Sequence, residues 1–445
     1  MARNIERITA QEAFLRARDN DLRRYPAPER DGARLYPLAA PTVTPSFTIG
    51  PQDTIFAIGS CFARNVERAL EGAGRRVLSR EFELGPIGEG LGDAANFFNK
   101  YSIHSVTTEI RWALERETFP GAEALCEIGP GRYCDLQLGM ARLDYPLEEI
   151  LAFRHRYLDS MAQVARADVV ILTLGYVETW YDRALDLHLN VVPPIQLIKA
   201  EPERFEFRVL SYGDVLEGLE SLHALLLRHR TTPLKMLVTV SPVPLLATFR
   251  DMDVLVANAY SKAVQRAALD EFVLGKEGVD YFPSYEFVTL SNPEVAWARN
   301  DYRHVSPDVV NRIMADVLAR YVEGGPEAGA APLGEALTSS LKMLHRLDRH
   351  DELLALAAEN RDAVDGDADA LMLEAAAARR LDRLEHAFAT LEKATRAAPD
   401  RHDALERLIM ICRPLRRSTE ARALLDRHAT AFPGRTDFRG KVSWV

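Results

Sequence analysis

Short, largely apolar runs alternate with helical segments through the middle of this chain, and no other feature constrains the fold as strongly. The runs contain many β-branched residues, and each ends at a glycine, a serine or a proline. Apolar runs of this length are typical of strands buried on both faces, and their alternation with helices predicts a parallel sheet of the α/β class. The predicted strands are Thr54–Ile58, Asp168–Leu174, Lys235–Val240 and, as a fourth candidate, Val279–Phe282.

The segments between the runs have the periodicity of amphipathic helices. In the first of them, Phe62, Val66 and Leu70 share one face, which we expect to pack on the sheet. Ligands bind such sheets beyond the carboxyl ends of the strands, so the residues that follow each run are the first candidates for a functional site. The predicted helices are Phe62–Gly74, Ile103–Arg116, Leu147–Arg166, Tyr212–Arg230, Val254–Leu274 and Ser306–Tyr321.

A chain of 445 residues is long enough for more than one domain. Residues 1–50 have the pattern of an N-terminal arm, with a helix at Glu6–Arg24 and then several prolines that favour extended backbone. The sheet domain is predicted for residues 51–323, and a linker rich in glycine and proline follows it. Residues 333–434 contain no strand pattern and are predicted to form an all-helical domain.

The helical part repeats itself. Asp369-Ala370-Leu371 recurs as Asp403-Ala404-Leu405, which is an offset of 34 residues, and several apolar positions recur at the same offset. A helix-turn-helix period of this length is the tetratricopeptide spacing. The Trp, Gly and Tyr of the tetratricopeptide consensus are missing, so the pattern is tetratricopeptide-like. Such a stack is a candidate surface for a protein partner.

Charge and composition exclude several classes of function. The net charge is −10, which argues against a nucleic-acid partner and against docking to anionic membranes. No apolar run is long enough to cross a membrane, and the charged N-terminus lacks the pattern of a secretory signal, so we expect no membrane insertion and a cytoplasmic location. Cys126 and Cys134 could pair, but reduced thiols are the expectation in that compartment. The cysteines and histidines show no zinc-binding spacing.

Two short motifs could carry chemistry. Ser60 follows the first strand at a strand-to-helix turn, where a serine can be either a nucleophile beside free helix amides or a simple N-cap. Asp301 and His304 stand just before the helix that begins at Ser306, and this spacing lets the carboxylate orient the imidazole. On its own, an Asp-x-x-His is more often a surface loop with a local Asp–His contact. Cys61 is a second candidate nucleophile, but a small buried hydrophobe is the commoner role for cysteine.

Taken together, the motifs resemble those of the GSCFA family, which is grouped with the SGNH (GDSL-like) hydrolases. Residues Gly59–Ala63 read Gly-Ser-Cys-Phe-Ala, and Asn99–Ile103 resembles the family's Asn-x-x-Ser-Ile segment. Leu174–Trp180 is similar to its Leu-Gly-x-x-Glu-x-Trp segment, and Asp301 with His304 matches its terminal block. The resemblance spans about residues 50–322. It implies a three-layer, flavodoxin-like fold and a Ser60–His304–Asp301 triad.

The sequence departs from the SGNH pattern at one important place. Where those enzymes carry an asparagine that binds the oxyanion, this chain has Val177 followed by Glu178. The oxyanion donor must therefore come from elsewhere, and the candidates are the Ser60 amide, an amide near Gly175 and the side chain of Asn99. Glu178 and Trp180 are candidates for lining a sugar site, although a packed capping loop is an equal alternative.

The function expected from the residues and the resemblance is serine-dependent esterase or O-acyltransferase activity. The substrate would be an acyl ester or a carbohydrate-like molecule, and the chemistry would need no metal and no organic cofactor. The alternative is a scaffold or binding protein for polysaccharide assembly, with a weakened SGNH-like domain and a helical repeat that recruits a partner.

Overall fold

The computed structural model describes residues 6–27, 29–85, 87, 93–138, 143–298, 302–325, 335–442 and 444. These residues form two compact units. The first takes in the residues up to 291 together with 302–305 and 316–325, and the second takes in 292–298, 306–315 and the helices from 335 onward. The first unit contains a parallel sheet with flanking helices and the second is helical, so the predicted fold class is confirmed. Residues 292–298 and 306–315, which the sequence-based division gives to the sheet domain, belong to the second unit.

The central sheet has five parallel strands. With all strands of the chain numbered in order, these five are β1 (Thr54–Gly59), β2 (Arg76–Val77), β5 (Val169–Leu174), β9 (Lys235–Val240) and β10 (Val279–Tyr281). Side by side in the sheet, their order is β10, β9, β5, β1, β2, which is the flavodoxin-like order 2-1-3-4-5 when these five are renumbered along the chain. Every residue of the middle strand β5 is buried, as expected where helices cover both faces.

The helices that flank this sheet begin and end close to their predicted bounds. Ser211 caps one of them with a reciprocal capping box formed with Asp214, and Ser102 caps another by accepting a hydrogen bond from the Ser105 amide. The helices of this unit and its N-terminal arm are α1 (Ala10–Asp19), α2 (Ala63–Gly72), α3 (Ile103–Leu114), α4 (Leu147–Met161), α5 (Ile195–Ala200), α6 (Tyr212–Arg228), α7 (Val254–Val273) and α8 (Ser284–Thr289). Helix α9 (Pro293–Ala296) lies in the second unit, and α10 (Pro307–Tyr321) has residues in both.

The N-terminal arm is attached to the sheet unit along its second half. The Ala39 amide donates to Ser291 Oγ at 2.8 Å, and the Ser46 amide donates to Asp280 Oδ2 at 2.8 Å. Ile49 forms an isolated parallel bridge with Val322. These bonds tie the arm to segments more than 200 residues away in sequence.

Two antiparallel elements were not predicted. A hairpin is formed by β3 (Leu125–Gly129) and β4 (Arg132–Asp135), in which Cys126 and Cys134 stand opposite each other as free thiols. A three-stranded sheet is formed by β6 (Glu178–Asp182), β7 (Leu187–Leu189) and β8 (Phe205–Val209), with β6 in the middle. Both insert between elements of the parallel sheet.

The helices of the second unit form hairpins with a repeated turn. Asp348, Asp382 and Arg416 each adopt a left-handed conformation, and they follow one another at intervals of 34 residues. After each, an arginine amide bonds back to the carbonyl five residues earlier, the 6→1 bond of a Schellman motif. The helices are α11 (Glu335–Arg346), α12 (His350–Glu359), α13 (Arg361–Asp365), α14 (Ala368–Arg380), α15 (Leu384–Ala397), α16 (His402–Cys412), α17 (Ser418–Ala431) and α18 (Thr436–Arg439).

Ion pairs repeat with the turns. Arg383 pairs with Asp351, and Arg417 pairs with Glu385 in the equivalent place one unit further along, both at 2.7 Å. A continuous apolar core runs beneath them, from Leu337 to Val442. Among the helices of the described residues, none is long and apolar enough to cross a bilayer.

Candidate functional site

The candidate site lies where the sheet changes its direction of winding, at the carboxyl ends of β1 and β5. Gly59 ends β1 with φ of +130°, a conformation that side-chain-bearing residues rarely adopt. A Cβ at this position would lie 2.1 Å from the carbonyl oxygen of Thr173 on β5. The close approach of the two strands therefore requires glycine, and it delivers Ser60 to the edge of the sheet.

Ser60 is buried, with 3% of its surface exposed. Its amide donates to the Thr173 carbonyl at 2.8 Å, so the Ser60 amide is engaged and is not free to bind an oxyanion. Its hydroxyl accepts a 3.3 Å bond from the Phe62 amide, which is the bond that the N-cap alternative requires. Among the described residues, the hydroxyl makes no hydrogen bond to His304.

The residue after Ser60 supplies a candidate donor. The Cys61 amide makes no hydrogen bond to another of the described residues, whereas the amides of Ala63 and Arg64 bond to carbonyls within the turn. The Cys61 thiol is exposed, which corrects the expectation of a buried hydrophobe, although surrounding protein atoms still raise its pKa. An unused amide directly after a serine at a strand-to-helix turn is the usual position of an oxyanion donor.

Asn99 stands beside this turn. It pairs with Gly59 through an isolated parallel bridge, and the next amide, from Lys100, donates to the Gly59 carbonyl at 2.7 Å. The Asn99 side chain is buried, and its amide nitrogen has a single long contact of 3.5 Å to Asn96. The Asn99 Nδ2 group is therefore a second available donor near Ser60.

A buried asparagine from the end of the three-stranded sheet holds this segment in place. Asn190 donates to the Asn99 carbonyl at 2.9 Å and accepts from the Tyr101 amide at 3.0 Å. It also accepts a 3.2 Å bond from the Ser105 hydroxyl. With these three bonds, Asn190 fixes the backbone on both sides of Lys100.

Four charged side chains are buried behind Asn99. Lys100 and Arg154 share the carboxylate of Glu109, at 3.2 and 2.7 Å, and Arg154 also approaches Asp135 at 3.4 Å. Burial lowers the pKa of Lys100 and raises that of Asp135, because neither charge reaches water. The network anchors the segment that carries Asn99 inside the core.

Gly175, at the end of β5, is close to the same segment but does not offer a free amide. Its amide donates to the Tyr101 carbonyl at 3.1 Å, and the amide of Tyr176 donates to the same oxygen at 3.0 Å. A Cβ on Gly175 would approach that oxygen to 2.8 Å. The rings of Tyr101 and Tyr176 stack at 5.1 Å above this contact. Gly175 therefore sets a close approach of backbones, and it does not present a donor to a ligand.

The Gly175 carbonyl is held by a buried lysine. Lys262 on α7 is fully buried and donates to the carbonyls of Gly175, at 2.7 Å, and Val243, at 2.9 Å. Burial lowers the pKa of Lys262 from 10.5 to about 7. Repulsion from Arg303 lowers this pKa as well, whereas the attraction of Cys61 partly raises it. One side chain thus joins the carboxyl ends of β5 and β9.

Glu178 and Trp180 lie on β6 and are engaged with the loop between β9 and α7, residues 241–253. The Glu178 carboxylate accepts bonds from the Thr248 hydroxyl at 2.7 Å and the Phe249 amide at 3.4 Å. Trp180 packs edge-on against Phe207 and Phe249. These contacts correspond to the packed-loop alternative.

The Asp301 and His304 motif, in which His304 is the expected general base, lies in the loop before α10. His304 is exposed, and its neighbour Arg303 donates to the Pro244 carbonyl at 3.3 Å. The carbonyl before Pro244, from Val243, is bound by Lys262, which also binds the Gly175 carbonyl, so this loop lies close to the carboxyl ends of β5 and β9. Asp301 lies outside the described residues.

A comparison with protein families identifies the relationship. The model of the GSCFA family matches residues 54–316. The chain belongs to the GSCFA family. The match covers more than half of the chain and includes the whole five-stranded sheet, from β1 to β10. No curated protein shows significant similarity to this GSCFA protein.

Three features of the GSCFA site were not anticipated from the sequence. Lys262 and Asn190 are single polar residues that belong to no motif, and each bonds to groups far away in the chain. The free Cys61 amide carries no signal of its own, but the nucleophile-elbow geometry implied by Gly59-Ser60 could have indicated it.

Proposed function

We propose that this GSCFA protein is a serine-dependent esterase or O-acyltransferase of the SGNH type, with Ser60, His304 and Asp301 as its triad. The observation that carries the proposal is the Ser60 turn. A buried hydroxyl stands at the switch point of a flavodoxin-like sheet. Beside it are the Cys61 amide, which bonds to no other described residue, and the weakly bonded side-chain amide of Asn99.

The proposed reaction begins with attack of Ser60 Oγ on the acyl carbonyl. His304 takes the hydroxyl proton and returns it to the leaving group, while Asp301 holds the imidazole in the required tautomer. Water then releases the acyl group in hydrolysis, whereas a hydroxyl of the acceptor releases it in transfer. In the present arrangement Ser60 Oγ accepts a bond from the Phe62 amide, and for attack its own hydrogen must be donated to His304.

The negative oxygen of the tetrahedral intermediate needs donors that are free before the reaction. The Cys61 amide and the Asn99 Nδ2 group meet this requirement better than the amides of Ser60 and Gly175, which are engaged with carbonyls. We therefore assign the oxyanion role to Cys61 and Asn99.

The substrate class is an acyl ester, with a carbohydrate-like molecule as the hydroxyl component. Glu178 and Trp180 would act on it indirectly, because they hold the loop between β9 and α7 in place. No metal or organic cofactor takes part in the proposed chemistry.

Covalent labelling of the nucleophile tests the proposal. A fluorophosphonate probe should label the wild-type protein and the Cys61→Ser variant, and the Ser60→Ala variant should stay unlabelled. Cys61→Ser is a matched control because it alters the neighbouring side chain and keeps the amide. Hydrolysis of p-nitrophenyl acetate should fall with Ser60→Ala, and with Asp301→Asn by about 10³- to 10⁴-fold. A wild-type protein that neither reacts with the probe nor hydrolyses the ester would favour the scaffold alternative.

We also infer that the helix pairs α11–α12, α14–α15 and α16–α17 are tetratricopeptide-like units. The inference is supported by the turns at Asp348, Asp382 and Arg416, which recur with the tetratricopeptide period and with the same backbone bond. The ion pairs of Arg383 and Arg417 link successive units in the same manner.

A further inference from the structure

The second unit contains a cavity of about 580 Å³ that is built mainly from the first helix of each successive pair. His345 contributes from α11, Met372 and Arg379 from α14, and Arg407 from α16. This volume lies within the range of sites that bind small ligands or short peptide segments. Its position on three consecutive pairs makes it part of the stacking surface of the repeat.

The charges that line this cavity all have one sign. Arg379, Arg380 and Arg407 line it, and no aspartate or glutamate is among its lining residues. All three arginine side chains are exposed, and none of these side chains makes an ion pair or hydrogen bond to another of the described residues. By contrast, Arg383 and Arg417 at the nearby turns are both paired with carboxylates. In a chain with a net charge of −10, three arginines line this one cavity, and two nearby carboxylates, Asp348 and Asp403, act on the same group of side chains. The arginines outnumber these carboxylates, so the local balance is positive.

Two of the same arginines act on His345, which also lines the cavity. Its pKa is lowered by burial, by His350 and by the charges of Arg380 and Arg407, with Asp348 acting in the opposite direction. Its Nδ1 atom is buried without a hydrogen-bond partner among the described residues. An anion in the cavity would offset the repulsion from the two arginines.

The remaining walls are apolar. Met372, Leu391 and Ile411 form part of the lining together with two alanines. The cavity is lined by the sides of helices, whose backbone amides are already bonded within the helices. It therefore lacks the amide cradle that holds phosphate groups. Its described lining residues include no phenylalanine, tyrosine or tryptophan on which bases could stack. Guanidinium groups beside an apolar wall suit carboxylates next to apolar side chains.

We propose that this cavity, formed around Arg379, Arg380 and Arg407, binds an acidic peptide segment that alternates carboxylate and apolar side chains. The arginines bind the carboxylates, and the walls at Met372 and Leu391 receive an apolar side chain. The site is independent of chemistry at Ser60.

Fluorescence anisotropy with the full-length chain tests this assignment. The probe is a fluorescein-labelled pool of octapeptides in which Asp or Glu alternates with Leu, Val, Ile or Phe. Saturable binding that weakens as salt is added is expected. Arg407→Glu and the double variant Arg379→Glu/Arg380→Glu should each weaken binding about tenfold or more. Arg407→Gln, which removes the charge without reversing it, should weaken binding to a smaller extent.

Controls separate this site from general attraction between charges. Arg396→Glu reverses an exposed charge on α15 away from the cavity and should leave the affinity unchanged, as should Ser60→Ala. A pool with Lys in place of Asp and Glu should not bind. The assignment is overturned if the acidic pool fails to saturate at millimolar concentration, if inorganic phosphate alone competes fully, or if Arg396→Glu weakens binding as much as Arg407→Glu.

Discussion

Replacing Lys262 with methionine should remove a pH-dependent part of the stability. The side chain is fully buried, and its pKa of about 7 in the folded protein lies below the ordinary value of 10.5. At a pH between these two pKa values, Lys262 is protonated more often in the unfolded chain than in the folded one. The free energy of unfolding therefore rises with pH in this range. For a group half-protonated at pH 7, the rise between pH 7 and pH 8.5 is about 1.5 kcal/mol.

Urea unfolding at a series of pH values, followed by tryptophan fluorescence and circular dichroism, measures this rise. The wild-type free energy of unfolding should gain about 1.5 kcal/mol relative to that of Lys262→Met over this range. Thiols and phenols that titrate at higher pH are common to both proteins, so they cancel in the difference. A constant penalty is also expected in the variant, because the carbonyls of Gly175 and Val243 lose their donor, but it does not change with pH.

Two further variants make the result decisive. Lys262→Gln keeps a donor at this position but cannot titrate, so it should lose the pH dependence in the same way. Lys199→Met removes an exposed lysine on α5 and should keep the wild-type pH dependence. Parallel curves for wild type and Lys262→Met from about pH 7 to about 8.5 would refute the reasoning, since they would mean that Lys262 keeps its proton in the folded protein.

Other substitutions test the supports of the site. Gly59→Ala should lower the free energy of unfolding by about 3 kcal/mol or more. Gly74 also has a positive φ but has open space around it, so Gly74→Ala should lower this free energy by only about 1–2 kcal/mol. Equal losses for the two variants in thermal unfolding would contradict the close approach of Gly59 to β5. Asn190→Ala should cost about 2–4 kcal/mol in urea unfolding and slow the labelling of Ser60, whereas unchanged labelling would mean that Asn99 is positioned without it. Glu178→Ala should speed chymotrypsin cleavage at the exposed Phe249 about tenfold, and an unchanged rate would show that other contacts hold the loop.

The parallel sheet was predictable because its strands are so apolar that they are stable only when buried in the core. The run Val169–Leu174 is apolar at nearly every position, so it must be buried wherever it lies, and its length fits a strand. The helix from Tyr212 begins at a serine with an aspartate three residues on, a local signal that does not depend on the rest of the fold. The local sequence, over a few residues, is enough to predict such elements.

The three-stranded sheet and the supports of the site depend on distant partners. Strand β6 mixes charged and aromatic residues, and it is buried only because β7, β8 and the loop of Thr248 cover it. Lys262 lies in a helix where a lysine is normally solvated, and nothing in its neighbours shows that two carbonyls will surround it. The Ser60 turn could be located from Gly59, but the choice among oxyanion donors required the backbone hydrogen bonds.

The buried charges behind Asn99 restrict how this protein can change over evolutionary time. If Glu109 were lost alone, Lys100 and Arg154 would stay buried without their shared partner, at a cost of about 3–5 kcal/mol. Since the free energy of unfolding of a domain is typically only about 5–15 kcal/mol, most such single substitutions would be removed by selection. An apolar replacement of the whole group could be tolerated, but only if several positions changed nearly together. The members of the network should therefore vary as a set among descendants of this sequence, and the Asn99 segment should be inherited with them.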